Sequence, residues 1–299
     1  MNNKGVIPEY TPHLRNYDYE VICGANDINF PTEFEIPREN TGTLKNQGTT
    51  WACVAEVIAQ IAESFYGEEM AEGLIYATFR DAYTKGKGLY VTHAMKFWLT
   101  LGTLPKKYFD ILVEMPEMKK IADKFPDLQE KAKKYPLKSY FAIDTGNKEK
   151  RDTAIKTALM TYNYGLLAVS NKYFDTAHCI LLTGWNDNTN SYKIKNSWGT
   201  GYGDNGFDEI PREEINSIYV PIFEEIELPF TDVSVNDWFY PEVKAMYFNG
   251  ISKGTSDTTY EPNRPVTRAE DDVKTYRILK MLDERFDILT RVIEEKINR

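Results

Sequence analysis

The stretch LKNQGTTWACVAEV, residues 44–57, decides how the chain is read. It opens as an irregular loop, Leu44-Lys45-Asn46-Gln47-Gly48, and passes at Cys53 into CVAEVIAQIAESFY. There Val54, Val57, Ile58, Ile61 and Phe65 recur at helical spacing, and Gly67 follows as a stop. Cys53 therefore falls in the first turn of a mostly buried helix. A thiol attacks a carbonyl only as thiolate, and a cysteine of pKa ~8.5 is mostly protonated at neutral pH. The unpaired N–H groups and dipole of a helix N-terminus carry roughly half a positive charge, which favours the anion, and a protonated imidazole alongside adds to it.

The chain holds only three histidines, His13, His93 and His178. His13 lies in an irregular N-terminal arm and His93 in a helix, where a structural role is the default. His178 starts a strand whose course through Gly184-Trp185 leads to a second one ending at Asn196. That separation suits a hairpin that sets both side chains at neighbouring positions. An asparagine there orients the ring by accepting one ring proton, which leaves the other nitrogen for the sulfur, while Trp198 shields the bond from water. Gln47, six residues before Cys53, offers a side-chain amide beside the Cys53 backbone N–H, where negative charge develops on a substrate oxygen.

Composition agrees with a folded, two-domain chain. Over 299 residues, 42% are hydrophobic and 13% aromatic, ample for packed cores. A net charge of -9 argues against nucleic acid, which needs a basic face. No apolar run is long enough to span a bilayer, and the N-terminus lacks the pattern of a secretory signal. Three cysteines, Cys23, Cys53 and Cys179, fit neither a disulfide framework nor a metal cluster, so no metal or cofactor is expected, and Cys23 and Cys179 read as small buried hydrophobes.

The order of elements is a helical half followed by a sheet-rich half. Residues up to about 43 read as an extended arm that wraps the surface. A second helix fits Thr92 to Leu101, capped by Gly102. The charged segment 105–150 reads as surface helix rather than sheet. LLAVS (166–170), CILLTGW (179–185) and YKIKNSW (192–198) have strand character. An acidic stretch at Glu224 to Pro229 ends this pattern. The divisions are a 1–28 arm, a 29–226 catalytic domain, a 227–277 module and a 278–299 amphipathic helix.

Three blocks in this order, LKNQGTTWACVAEV, TAHCILLTGW (176–185) and YKIKNSWGTGYGDNGF (192–207), resemble the papain-like cysteine peptidases. The resemblance implies an α+β, two-lobed fold, a helical lobe against a lobe of antiparallel sheet or barrel, with the site in the cleft between them. It implies Cys53 as nucleophile, His178 as base, Asn196 as orienter and Gln47 in the oxyanion hole, acting on protein or peptide substrates. The chain departs from papain at Thr49-Thr50-Trp51-Ala52, where the family's usual disulfide cysteine is absent. Val54 stands where many relatives have Trp, Trp51 is placed to narrow the cleft near the sulfur, and Ala177 replaces an Asp of some relatives.

FTDVSVNDWFYPEVKAMYFNGISKGTSDTTYEPNRPVTRAE, residues 230–270, resembles a single S-layer homology repeat, a small helical module. Such repeats bind acidic wall polysaccharides, in three copies, and the resemblance implies sugar contacts from Trp238 and Arg268. The other reading makes Trp238 core and Arg268 part of a helix-capping ion pair. Beyond it Ile278, Leu282, Leu289, Val292 and Ile293 continue an apolar stripe. Either three chains associate through that stripe, as a homotrimer, or it packs back on its own chain.

Three functions follow from different classes. The first is a cysteine endopeptidase attached to a cell wall or particle, at a cell surface or on a phage virion. The second is a papain-like binding or assembly protein without turnover. The third is an acyl transferase or transpeptidase in which an amine replaces water.

Overall fold

The computed structural model describes residues 29–78, 88–112, 126–143, 148–223, 228–248 and 251–280. His13, Cys23, the 1–28 arm and most of the 278–299 stripe lie outside them.

The helical lobe is built on α1 (Cys53–Tyr66) with α2 (Glu72–Thr78), α3 (Val91–Leu101) and α4 (Pro126–Ala132). The apolar spacing read from the sequence makes α1 buried along most of its length, from Cys53 to Glu63. It stops where Gly67 takes the left-handed conformation (φ 69°) and its N–H bonds the Glu63 carbonyl. At the end of α3 Gly102 is required twice over: φ is 72°, and a Cβ would lie 1.9 Å from the Ala132 carbonyl oxygen. Ile58, Ile61, Met95 and Trp98 fill the core of this lobe.

The second lobe is an antiparallel seven-stranded sheet with α5 (Lys148–Tyr162) packed on it. Its strands are β1 (Glu33–Glu35), β2 (Ser139–Ala142), β3 (Leu166–Ser170), β4 (His178–Asn186), β5 (Ser191–Lys195), β6 (Phe207–Pro211) and β7 (Ser217–Ile222). They lie in the order β2-β7-β3-β4-β5-β6, and β1 pairs with the far end of β4. The mixed α+β, two-lobed architecture expected from the sequence is borne out. Residues of β4 alternate: Cys179 and Leu181 face the α1 side, while Ile180 and Leu182 join Trp185 and Ile194 in the sheet-lobe core.

Two details correct the reading. Segment 105–150 is not surface helix throughout: Ser139–Ala142 is a strand, paired with β7 as Tyr140↔Pro221 and Phe141↔Val220. Tyr140 and Phe141 are both buried, on opposite faces, so no alternation marks the strand, and its partner lies far along the chain. The arm, too, does not end in surface wrapping, because Glu33–Glu35 adds to the sheet against Gly184–Asn186. Gly184 makes this approach feasible, since a Cβ there would lie 2.2 Å from the Phe34 carbonyl oxygen.

The C-terminal unit holds α6 (Tyr240–Phe248), whose Val243 joins Phe230 and Val233 in a small apolar cluster, and a helix over 268–280. Its Thr267-Arg268-Ala269-Glu270 run is a capping box: Glu270 N–H donates to Thr267 Oγ1 (3.2 Å) and Thr267 N–H to Glu270 Oε2 (2.8 Å). Asp232 accepts the N–H groups of Tyr260 and Glu261, tying the start of the unit to its loop.

Candidate active site

Cys53 is the first residue of α1, fully buried, with Ala52 before it making no side-chain cap to the helix. The helix packs across β3 and across β4, the strand that begins at His178. Burial pushes the Cys179 thiol far above its usual pKa, and Cys53 adds to the shift, which sets the two thiols in one neighbourhood.

His178 Nε2 and Asn196 Oδ1 are 2.8 Å apart and both residues are fully buried. Asn196 sits one residue past β5, where its N–H donates to the Gly206 carbonyl at 2.8 Å. Its Oδ1 also accepts the Ser197 N–H at 2.8 Å, which fixes the amide oxygen toward the ring. Trp198 stacks on the imidazole, with centroids 4.7 Å apart at 27°, and Phe174 meets its edge at 4.9 Å.

Gln47 reaches the same place through a short backbone ladder. Gln47 N–H donates to the Ser197 carbonyl (2.9 Å) and Gly199 N–H to the Lys45 carbonyl (3.0 Å). The Ser197 hydroxyl then donates to Gln47 Oε1 at 2.8 Å, and Gln47 Nε2 donates to the Thr50 carbonyl at 2.9 Å. With its oxygen held, the amide presents Nε2 on the side of the loop that leads to Cys53.

The loop itself is clamped by buried charge that the sequence reading did not single out. Lys45 Nζ lies 2.5 Å from Glu63 and 3.4 Å from Glu72. Burial alone would lower its pKa, but Glu63 and Glu72 more than reverse this and hold it raised. Glu63 also accepts Thr43 N–H and Met70 N–H. Lys195, next to Asn196, donates to the carbonyls of Thr41 and Gly42, and burial brings its pKa down to about 8. Glu56, one turn along α1 from Cys53, is fully buried with neither carboxylate oxygen hydrogen-bonded among the described residues. Glu56, Gln60 and Glu63 recur at helical spacing within an apolar run, a polar stripe that was there to be noticed.

The other singled-out residues lie elsewhere. Trp51 is partly buried against the helical-lobe core. His93 is on α3, its ring against Tyr90. Trp238 and Arg268 are both in the C-terminal unit. Trp238 is 87% exposed, which removes the core alternative, and the ion pair with Glu270 is made by Arg264, while Arg268 pairs with no acid among the described residues.

Comparison with known proteins agrees with this architecture. Residues 137–222 match the model of the papain family cysteine proteases, and residues 229–270 that of the S-layer homology domain. Xylellain, a cysteine protease from Xylella fastidiosa, has a TM-score of 0.56 at 18% identity, covering 75% of this chain and 97% of that one. Procathepsin B from Trypanosoma congolense gives 0.54 at 14%, covering 75% and 87%. The viral cathepsin of Heliothis zea nuclear polyhedrosis virus is 24% identical over 71% of this chain. Gamete and mating-type specific protein A of Dictyostelium discoideum is 36% identical over 21%. The chain spans 60% and 14% of these two relatives' own lengths. Both resemblances read from the sequence are borne out: this is a chain with the papain-like cysteine protease fold, followed by an S-layer homology domain.

Proposed function

We propose that the protein is a cysteine endopeptidase that hydrolyses peptide bonds through Cys53, His178 and Asn196. The observation that carries this is the 2.8 Å contact between His178 and Asn196 at the start of the strand against which α1, headed by Cys53, is packed. Asn196 Oδ1 accepts the Nε2 proton, which leaves Nδ1 for the thiol. His178 Nδ1 takes the Cys53 thiol proton as Sγ bonds to the scissile carbonyl carbon, and the carbonyl electron pair moves onto oxygen, where Gln47 Nε2–H and the Cys53 N–H receive it. The intermediate collapses, the C–N bond breaks and His178 gives the amine its proton. Water, deprotonated by His178, then releases the acyl group and restores the thiol. Turnover of fluorogenic peptide amides by the parent, falling to background in Cys53→Ala, tests the reading; equal turnover by both would refute it.

The exposed indole of Trp238 supports a second component, attachment to an acidic wall polysaccharide through the C-terminal unit, with Arg268 at its carboxylates. Ile278, half-buried on the 268–280 helix, begins an apolar stripe that the sequence continues through Leu282, Leu289, Val292 and Ile293. Three chains associating there would join three single repeats; a monomer by light scattering at micromolar concentration would refute that arrangement.

A further inference from the structure

Cys179 follows His178 directly on β4 and is fully buried on the face of the sheet that α1 covers, in the same apolar cluster as Cys53 and Val54. Val169, its partner across the ladder on β3, and Leu181, two residues further on, belong to that cluster as well. Neither Cys53 nor Cys179 is in a disulfide. The two sulfurs nevertheless feel each other: burial first, and then negative charge on Cys53, push the Cys179 thiol far above its usual pKa. Packing asks only for a small apolar side chain at this position, and the peptidase mechanism makes no use of a thiol there. The pair is unequal. Cys53 is the reactive thiolate, whereas Cys179 is held protonated by its surroundings, so an oxidant attacks Cys53 first.

We infer that Cys53 and Cys179 form a reversible redox pair, in which hydrogen peroxide oxidises Cys53 and Cys179 resolves it as a disulfide that switches the site off. This rests on the peptidase reading, which supplies the Cys53 thiolate and brings the neighbouring residue, His178, to it. The Cys53 sulfur attacks one peroxide oxygen: an S–O bond forms, the O–O bond breaks, and the departing hydroxide takes up a proton as water. Cys179 then gives up its proton and attacks the sulfenic sulfur. The S–S bond forms, the S–O bond breaks, and the second hydroxide leaves with that proton as water. The two sulfurs together lose two electrons, and the peroxide gains them. Disulfide formation forestalls a further oxidation of Cys53 to the irreversible sulfinic acid, and a dithiol restores both thiols by exchange.

The test treats the full chain, Cys179→Ala, Cys53→Ala and Cys23→Ser with hydrogen peroxide. Intact mass is read, and then the cross-linked peptides after digestion without reductant. The parent should lose about 2 Da through a Cys53–Cys179 linkage. It should also lose turnover of a fluorogenic peptide amide, and dithiothreitol should return both. Cys23→Ser should behave as the parent does, and Cys53→Ala should form no such linkage. Cys179→Ala should instead gain about 32 Da at Cys53 and lose turnover beyond recovery by dithiothreitol. A parent that takes up oxygen without the linkage, a linkage through Cys23 instead, or a Cys179→Ala that recovers as fully as the parent overturns the proposal. The linkage is mapped on the parent itself, so it stands or falls whether or not a variant folds. A Cys53–Cys179 linkage in a parent that cleaves no peptide upholds the redox pair, and the peptidase reading alone then fails.

Discussion

Replacing Glu56 by Gln should stabilise the protein, and by an amount that grows with pH. Glu56 is fully buried on α1, and the charged groups around it are Glu72, Lys45, Lys106 and Glu63. Burial, then repulsion from Glu72, raises its pKa well above the usual carboxylate value of 4.5; Lys45 and Lys106 oppose this without reversing it. The folded chain therefore keeps a proton that the unfolded chain loses. Below pH 4.5 both states are protonated and the group costs nothing. Above it, the folded state binds more protons, so stability falls as pH rises toward the folded pKa. The slope is about 1.4 kcal/mol per pH unit while the folded carboxyl holds its proton and the unfolded one does not. Gln has nearly the same shape and no proton to lose. Its advantage should be close to zero at pH 4 and should grow as pH rises above 4.5, by no more than about 1.4 kcal/mol per pH unit. In a domain of this size each such unit widens the Tm difference by up to roughly 3–6 °C. Thermal melting of Cys53→Ala and Cys53→Ala/Glu56→Gln from pH 4 to pH 7 measures it, with self-digestion removed from both. A Tm difference that stays constant across this range would show that Glu56 ionises alike in both states and would refute the reasoning.

Gln47→Ala should lower kcat about 10²- to 10³-fold, as loss of one oxyanion donor does, with little change in KM. Ser197→Ala should lose part of the same factor and add almost nothing in the double variant, because Ser197 acts only by holding the Gln47 amide; steady-state kinetics of the three variants check both statements. Trp185→Ala should cost about 3–5 kcal/mol of stability by urea denaturation, since the indole is fully buried, stacked on Phe34 at 4.8 Å and bonded to the Pro31 carbonyl.

The parts of this fold that could be read from the sequence are those with local signals. Helix α1 announces itself through apolar spacing and the Gly67 stop, α3 through Gly102, and β3, β4 and β5 through β-branched runs between turns. The approach of His178 and Asn196 follows from the same hairpin, with Leu181↔Lys195 paired just before them. Strand β2 had no such signal: its four residues, buried on both faces, depend on a partner strand 77 to 83 positions away, from Ala142↔Tyr219 to Ser139↔Ile222. Ser197 was visible only as part of a motif, because its role depends on the ladder between Lys45–Gln47 and Ser197–Gly199. The clamp of Lys45, Glu63 and Lys195 likewise joins three distant segments. For Trp238 the sequence left core and surface both open, since one aromatic residue serves either, and only the fold exposes it.

The central claim is that Cys53 is an activated nucleophile. Intact-mass analysis of the purified protein and of Cys53→Ala after treatment with a peptide-epoxide probe for cysteine peptidases tests it most directly. The account predicts one adduct on the parent and none on the variant. An adduct on both, or on neither, would contradict it.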